Sequence, residues 1–113
     1  ALSVRQPHAE AIMSGEKSIE SRSRRTKIRG TIYIYAAAGR YSRDAEAEMM
    51  ESYDITDSEC DELPRGVIVG TVELYDCVEG KDSYHWHLRN PIRAKQKRKP
   101  TGHPQPVWFY PFS

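Results

Sequence analysis

Between Thr31 and Tyr35 the chain alternates Ile32 and Ile34 with Tyr33 and Tyr35. A period of two places the aliphatic pair on one side of a strand and the tyrosines on the other, so both faces are suited to being covered. The opening residues Ala1 to Val4 read as a short strand, and Pro7 and Gly15 then bracket a two-turn helix carrying Ile12 and Met13. A loop and strand follow over Ser14 to Arg24. Ser42 can cap a helix in which Ala45, Met49 and Tyr53 recur every four residues, with Glu46, Glu48 and Glu51 on the exposed side. Thr56 and Glu59 have the spacing of a capping box for one further turn before Pro64. Gly66 to Val78 is rich in β-branched residues and is interrupted by Gly70, where a bulge or bend would let the strand curl. Tyr84 to Leu88 and Val107 to Tyr110 read as two more strands, and residues 89–106, with four prolines and six basic residues, as an exposed loop between them. The pattern predicts an α+β fold: a twisted β-barrel, closed or partly closed, of about five to six strands with flanking helices.

The 113 residues are enough for a single domain over 1–113. The net charge of +1 hides a segregation: residues 1–40 carry +5, residues 41–82 carry −10 and residues 83–113 carry +6. If the two basic ends lie together, they form a positive face for a polyanion opposite an acidic one. No apolar run approaches the roughly 18 residues of a membrane span, and the N-terminus lacks the basic and apolar regions of a secretory signal. The expectation is a soluble, cytoplasmic protein with no membrane partner. Cys60 and Cys77 have neither CxxC spacing nor partners for a disulfide framework, which suits reduced thiols.

Reactive side chains are densest at Lys17, Glu20 and Arg22. If this segment is extended, Glu20 and Arg22 point to one face and Lys17 reaches them from the strand entrance. A carboxylate beside cations stays ionised and can accept a base amino group, while a desolvated lysine can serve as a base or nucleophile. The same spacing also describes a plain ion pair at a strand end. His85 and His87 share one side of a strand, but two imidazoles without a third ligand make a poor zinc site, so no metal is expected. The phosphate-binding, dinucleotide-binding, metalloprotease and nucleophile-elbow motifs are absent, and no cofactor is expected.

The segments LSVRQPHAEAIMSGEKSIESRSR, RGTIYIYAA, LPRGVIVGTVELYDC, YHWHL and RNP, and a terminal Gly102, Val107 and Trp108, resemble an ASCH domain nearly end to end. The most specific part is the GxKxxExR run: Gly15, Lys17, Glu20 and Arg22, preceded by Gln6 and Pro7. The resemblance implies a PUA-like pseudo-barrel with a cleft lined by this run, and recognition of RNA or a modified nucleotide. Gln6, Lys17, Glu20 and Arg22 are then the candidate nucleic-acid-binding residues, with Arg24, Arg25, Lys27 and Arg29 holding the backbone. On this reading Lys17 and Arg22 contact phosphate or a base carbonyl, Glu20 reads a base edge, and single-stranded RNA is the expected partner. Some members of the family are hydrolases, so a second reading makes Lys17 and Glu20 the acid–base pair of an enzyme on a modified nucleobase or RNA. Members that hydrolyse 4-acetylcytidine carry a threonine where Glu20 stands. A third reading is a protein partner held by the acidic helical face.

Overall fold

Leu2–Arg5 forms strand β1, whose first three residues are buried. The computed structural model describes residues 1–101, 104, 108 and 109, and of Asp57 the backbone only. β1 runs parallel to β3 (Gly30–Ala37), with Leu2 opposite Ile34 and Val4 opposite Ala36. β3 pairs antiparallel with β4 (Val67–Glu79), and β4 with β5 (Tyr84–Arg98). β2 (Ile19–Arg22) pairs antiparallel with β5 at the far end. The result is a five-stranded mixed sheet of order β1-β3-β4-β5-β2.

Helix α1 (His8–Ser14) links the two outermost strands, entering through a cis Gln6–Pro7 bond and ending at Gly15. Gly15 has φ 87°, a left-handed conformation that glycine adopts without a Cβ penalty. Ile12 and Met13 of α1 pack with Ile32, Ile34, Val72, Leu74, Trp86 and Leu88 on one face of the sheet. Ile34 and Leu74 are fully buried, each worth about 1.5–3 kcal/mol relative to exposure. Gly70 is the irregular point the sequence suggests: the register shifts beside it in both the β3 and β5 pairings. A Cβ there would stand 2.3 Å from the Ile92 carbonyl oxygen and 2.4 Å from Met13 Cε, so the missing side chain lets α1 and β5 close onto β4.

Helices α2 (Arg43–Tyr53) and α3 (Asp57–Glu62) form the acidic layer and pack on each other. Both predicted caps are present. The Ala45 N–H donates to Ser42 Oγ, and Thr56 and Glu59 exchange both bonds of a capping box. One assignment is corrected: Glu46 is buried rather than exposed, because Arg40 reaches back to pair with it at 2.6 Å and the Cys60 thiol lies beneath it. Arg40 holds the Glu46 carboxyl below the usual carboxylate range. Cys60 and Cys77 are free thiols.

Three further expectations change. Residues 89–98 are strand rather than loop, because β5 continues through them. Asn90, at φ 53°, and Pro91 sit where the register skips between the Thr71–Ile92 and Glu73–Arg89 pairs, so the proline occupies a bulge and no ladder bond is lost there. The barrel is not closed: among the described residues no ladder joins β1 to β2, and each remains an outermost strand. Of the expected strand Val107 to Tyr110, Trp108 makes one antiparallel bridge to Leu2, and Phe109 packs edge-on against Tyr35; Val107, Tyr110 and Gly102 lie outside the described residues. No helix among the described residues is long and apolar enough to cross a membrane.

Candidate functional site

The seam between β1 and β2 holds a cleft of about 470 Å³. The period of two on β2 turns Glu20 and Arg22 inward together, as the spacing requires. Arg22 Nε donates to Glu20 Oε2 at 3.0 Å, and Arg22 Nη2 donates to the same oxygen and to the Ser3 carbonyl at 2.7 Å. Lys17, set at the entrance by the Gly15 turn, lies 3.3 Å from Glu20 Oε1. The buried carboxylate is therefore gripped on both oxygens, and among the described residues the guanidinium is what links β2 to β1 across the seam.

The remaining walls come from distant parts of the chain. Arg5, at the end of β1, lies over the Tyr41 ring at 5.2 Å. His8, the first residue of α1, meets Tyr41 and Tyr53 edge-on and shares a 2.6 Å hydrogen bond from Nδ1 to the Tyr53 hydroxyl. Burial and the neighbouring Lys17 hold the His8 imidazole below its ordinary value, and burial raises the phenols of Tyr41 and Tyr53. Arg5, Lys17 and Arg22 against Glu20 leave a surplus of positive charge in a cleft with aromatic walls.

The other predicted residues fall elsewhere. Gln6 is buried outside the cleft: its amide donates to the Pro64 carbonyl at 2.9 Å and accepts from the Glu10 N–H, tying α1 to the end of α3. Arg24, Arg25, Lys27 and Arg29 are exposed on the segment between β2 and β3. Arg25 faces Glu79 at 3.7 Å and Arg29 faces Asp76 at 4.0 Å, so the hairpin end of β4 answers part of that charge. Trp86 is buried with its Nε1 donating to the Arg24 carbonyl. His85 and His87 face away from it, and among the described residues no three His, Cys, Asp or Glu are grouped to hold a metal ion.

This geometry coincides with a match along the sequence. Residues 2–105 fit the profile of the ASCH domain. The chain belongs to the ASCH domain family. This ASCH domain is also 34% identical over 84 residues to the human protein named activating signal cointegrator 1, and 33% identical over 84 residues to its mouse counterpart. In each case the match takes in 71% of this chain but only 14% of the relative.

Within the ASCH domain, the GxKxxExR spacing located the floor of the cleft because its members are near in sequence. Arg5, His8 and Tyr41 had no such signal. His8 comes with the first turn of α1, while Arg5 and Tyr41 are brought in by the parallel β1–β3 pairing and the path of the chain into α2, long-range events that local spacing does not encode.

Proposed function

We propose that this ASCH domain is a binding module for single-stranded RNA, taking one nucleotide, plain or modified, into the seam between β1 and β2. The observation that carries the reading is the surplus of cations around the buried Glu20 in a cleft of nucleotide size. Lys17, with ammonium donors not used on Glu20, meets a phosphate, and Arg22 sets the floor. Glu20 is a positioning residue: both of its oxygens face cations, so it holds Lys17 and Arg22 in place rather than presenting a free edge to a base. Arg24 and Lys27 bind the RNA backbone on the adjoining segment.

The test is fluorescence anisotropy of a labelled 12-nucleotide RNA across a salt series. Lys17→Ala should weaken binding about tenfold, the scale of one charge-assisted hydrogen bond. Replacing Arg24, Arg25 and Lys27 together by Ala should flatten the log–log salt slope by about 0.7 for each phosphate that is no longer neutralised. No detectable binding at low salt for every RNA tried would overturn the proposal. The 3.3 Å approach of Lys17 to Glu20 favours one second reading, hydrolysis of a modified nucleobase with these two as acid–base pair. Mass-spectrometric detection of product from 4-acetylcytidine, lost in both Lys17→Arg and Glu20→Gln, would replace the binder by the enzyme.

A further inference from the structure

The second basic block, at the end of the chain, is not where the sequence places it. Arg89 to Arg98 belong to β5, beyond the point where β2 stops pairing at the Ile19–His87 position. From there β5 is hydrogen-bonded to β4 on one side and has no strand on the other among the described residues. The ladder then breaks a second time: Arg93 stands opposite Gly70 and Arg98 opposite Ile68, so four residues, 94–97, face the single Val69. A bulge leaves its extra residues unpaired and bends the strand there. Lys95 and Lys97 are on it, Lys99 follows, and all three are exposed.

Each basic segment is answered only in part. On the linker before β3, Arg25 and Arg29 are each answered by a carboxylate. On β5, Arg89 pairs with Glu73 and Arg93 with Glu10, but among the described residues no carboxylate lies within ion-pair distance of Lys95, Lys97 or Lys99. Among the described residues, cations without a carboxylate partner thus remain in two places, Arg24 and Lys27 on the linker and Lys95, Lys97 and Lys99 on the far half of β5. That half is also connected to the cleft, because Lys17 lines a second, smaller cavity shared with Arg89 and Pro91, and the Leu88 N–H donates to the Ser18 carbonyl beside it. Beyond the Arg93–Glu10 pair, Glu16, Glu59 and Glu62 line the groove between α1 and α3, and their charge disfavours a polyanion there.

We infer that the bulged half of β5 is a second phosphate-contacting track, continuous with the cleft through Lys17, so that the domain selects an oligonucleotide over a mononucleotide. This rests on the RNA-binding reading of the cleft. Measured along β4 from Glu73 to Ile68, the track adds about 17 Å at ~3.3 Å per residue, several nucleotides beyond the one in the seam and within the ~4–16 nucleotides that single-strand binders cover.

The experiment uses the whole chain, with uridine monophosphate and oligouridylates of three, six, nine and twelve nucleotides, and compares wild type, Lys17→Ala and a triple Lys95→Gln, Lys97→Gln, Lys99→Gln variant. Wild-type affinity should climb with length and then level off. The triple variant should bind the monophosphate and trinucleotide as wild type does but lose the increase beyond them, whereas Lys17→Ala should weaken every length alike. With three phosphates no longer neutralised, the salt slope should be shallower by about 2, so wild type should lose about 18-fold more affinity than the triple variant when salt rises fourfold. An unchanged length dependence and slope in the triple variant would overturn the track while leaving the cleft reading intact. If that variant also self-associates on gel filtration, the lysines serve only to keep a bare strand edge from pairing, which likewise overturns the track. Failure of wild type to bind any oligouridylate at low salt would remove the cleft reading as well.

Discussion

Replacing Glu20 by Gln should move stability and RNA binding in opposite directions. The side chain is 10% exposed, with Lys17 at 21% and Arg22 at 16%, so the cluster lies between a surface pair, worth about 0–1 kcal/mol, and a fully buried one, whose breaking costs about 3–5 kcal/mol. Gln retains one acceptor for Arg22, and Arg22 keeps its bond to the Ser3 carbonyl, which sets the loss at about 2 kcal/mol. For a domain of this size that is a fall in Tm of about 8 °C. Removing a negative charge ~6 Å from a bound phosphate, screened as in water, improves binding by about 0.7 kcal/mol, or roughly threefold. Thermal melting and RNA anisotropy on the same preparation read both effects. An unchanged Tm would refute the gripped carboxylate. A lower Tm with weaker rather than tighter binding would refute its positioning role and restore the reading in which Glu20 itself contacts a base.

Gly70→Ala should destabilise the domain by about 1–3 kcal/mol in urea titration, because the new methyl meets the Ile92 carbonyl and Met13; a neutral change would mean that α1 and β5 do not close onto β4. His8 tests the cleft by pH. Its folded value is depressed, so the stability it contributes is present above the unfolded value of about 6.5 and is lost as pH falls through that value toward the folded one. The urea midpoint should therefore drop between about pH 7 and 5 in wild type and drop less in His8→Gln, with RNA affinity rising over the same window because a bound phosphate favours the imidazolium.

Local signals in the sequence located what local chemistry determines. Ser42, Thr56 and Glu59 cap the helices they were expected to cap, Gly15 ends α1, and Gly70 marks the break in β4. The β2 residues Glu20 and Arg22 meet because they are two apart on a strand. What escaped was decided by partners far along the chain. Glu46 reads as a solvent-facing helical residue until Arg40 and Cys60 close over it. Residues 89–98 carry turn formers and charge, yet β4 supplies a ladder for them and a bulge takes up Asn90 and Pro91. Arg25 and Arg29 read as free cations until the hairpin brings Glu79 and Asp76 alongside. The walls of the cleft, Arg5 and Tyr41, belong to the same class, since only the assembled sheet brings them to the GxKxxExR floor.

The seam between β1 and β2 also has a mechanical consequence. Every backbone ladder runs the long way round, from β1 through β3, β4 and β5 to β2, so the two lips of the cleft are joined through the whole sheet but, among the described residues, clasped directly by the Arg22 side chain alone. Parting the lips means releasing one guanidinium from one carbonyl and displacing the short α1 connection that joins them, while the sheet hydrogen bonds stay in place. The sheet is in this sense a split ring, with Arg22 as its catch.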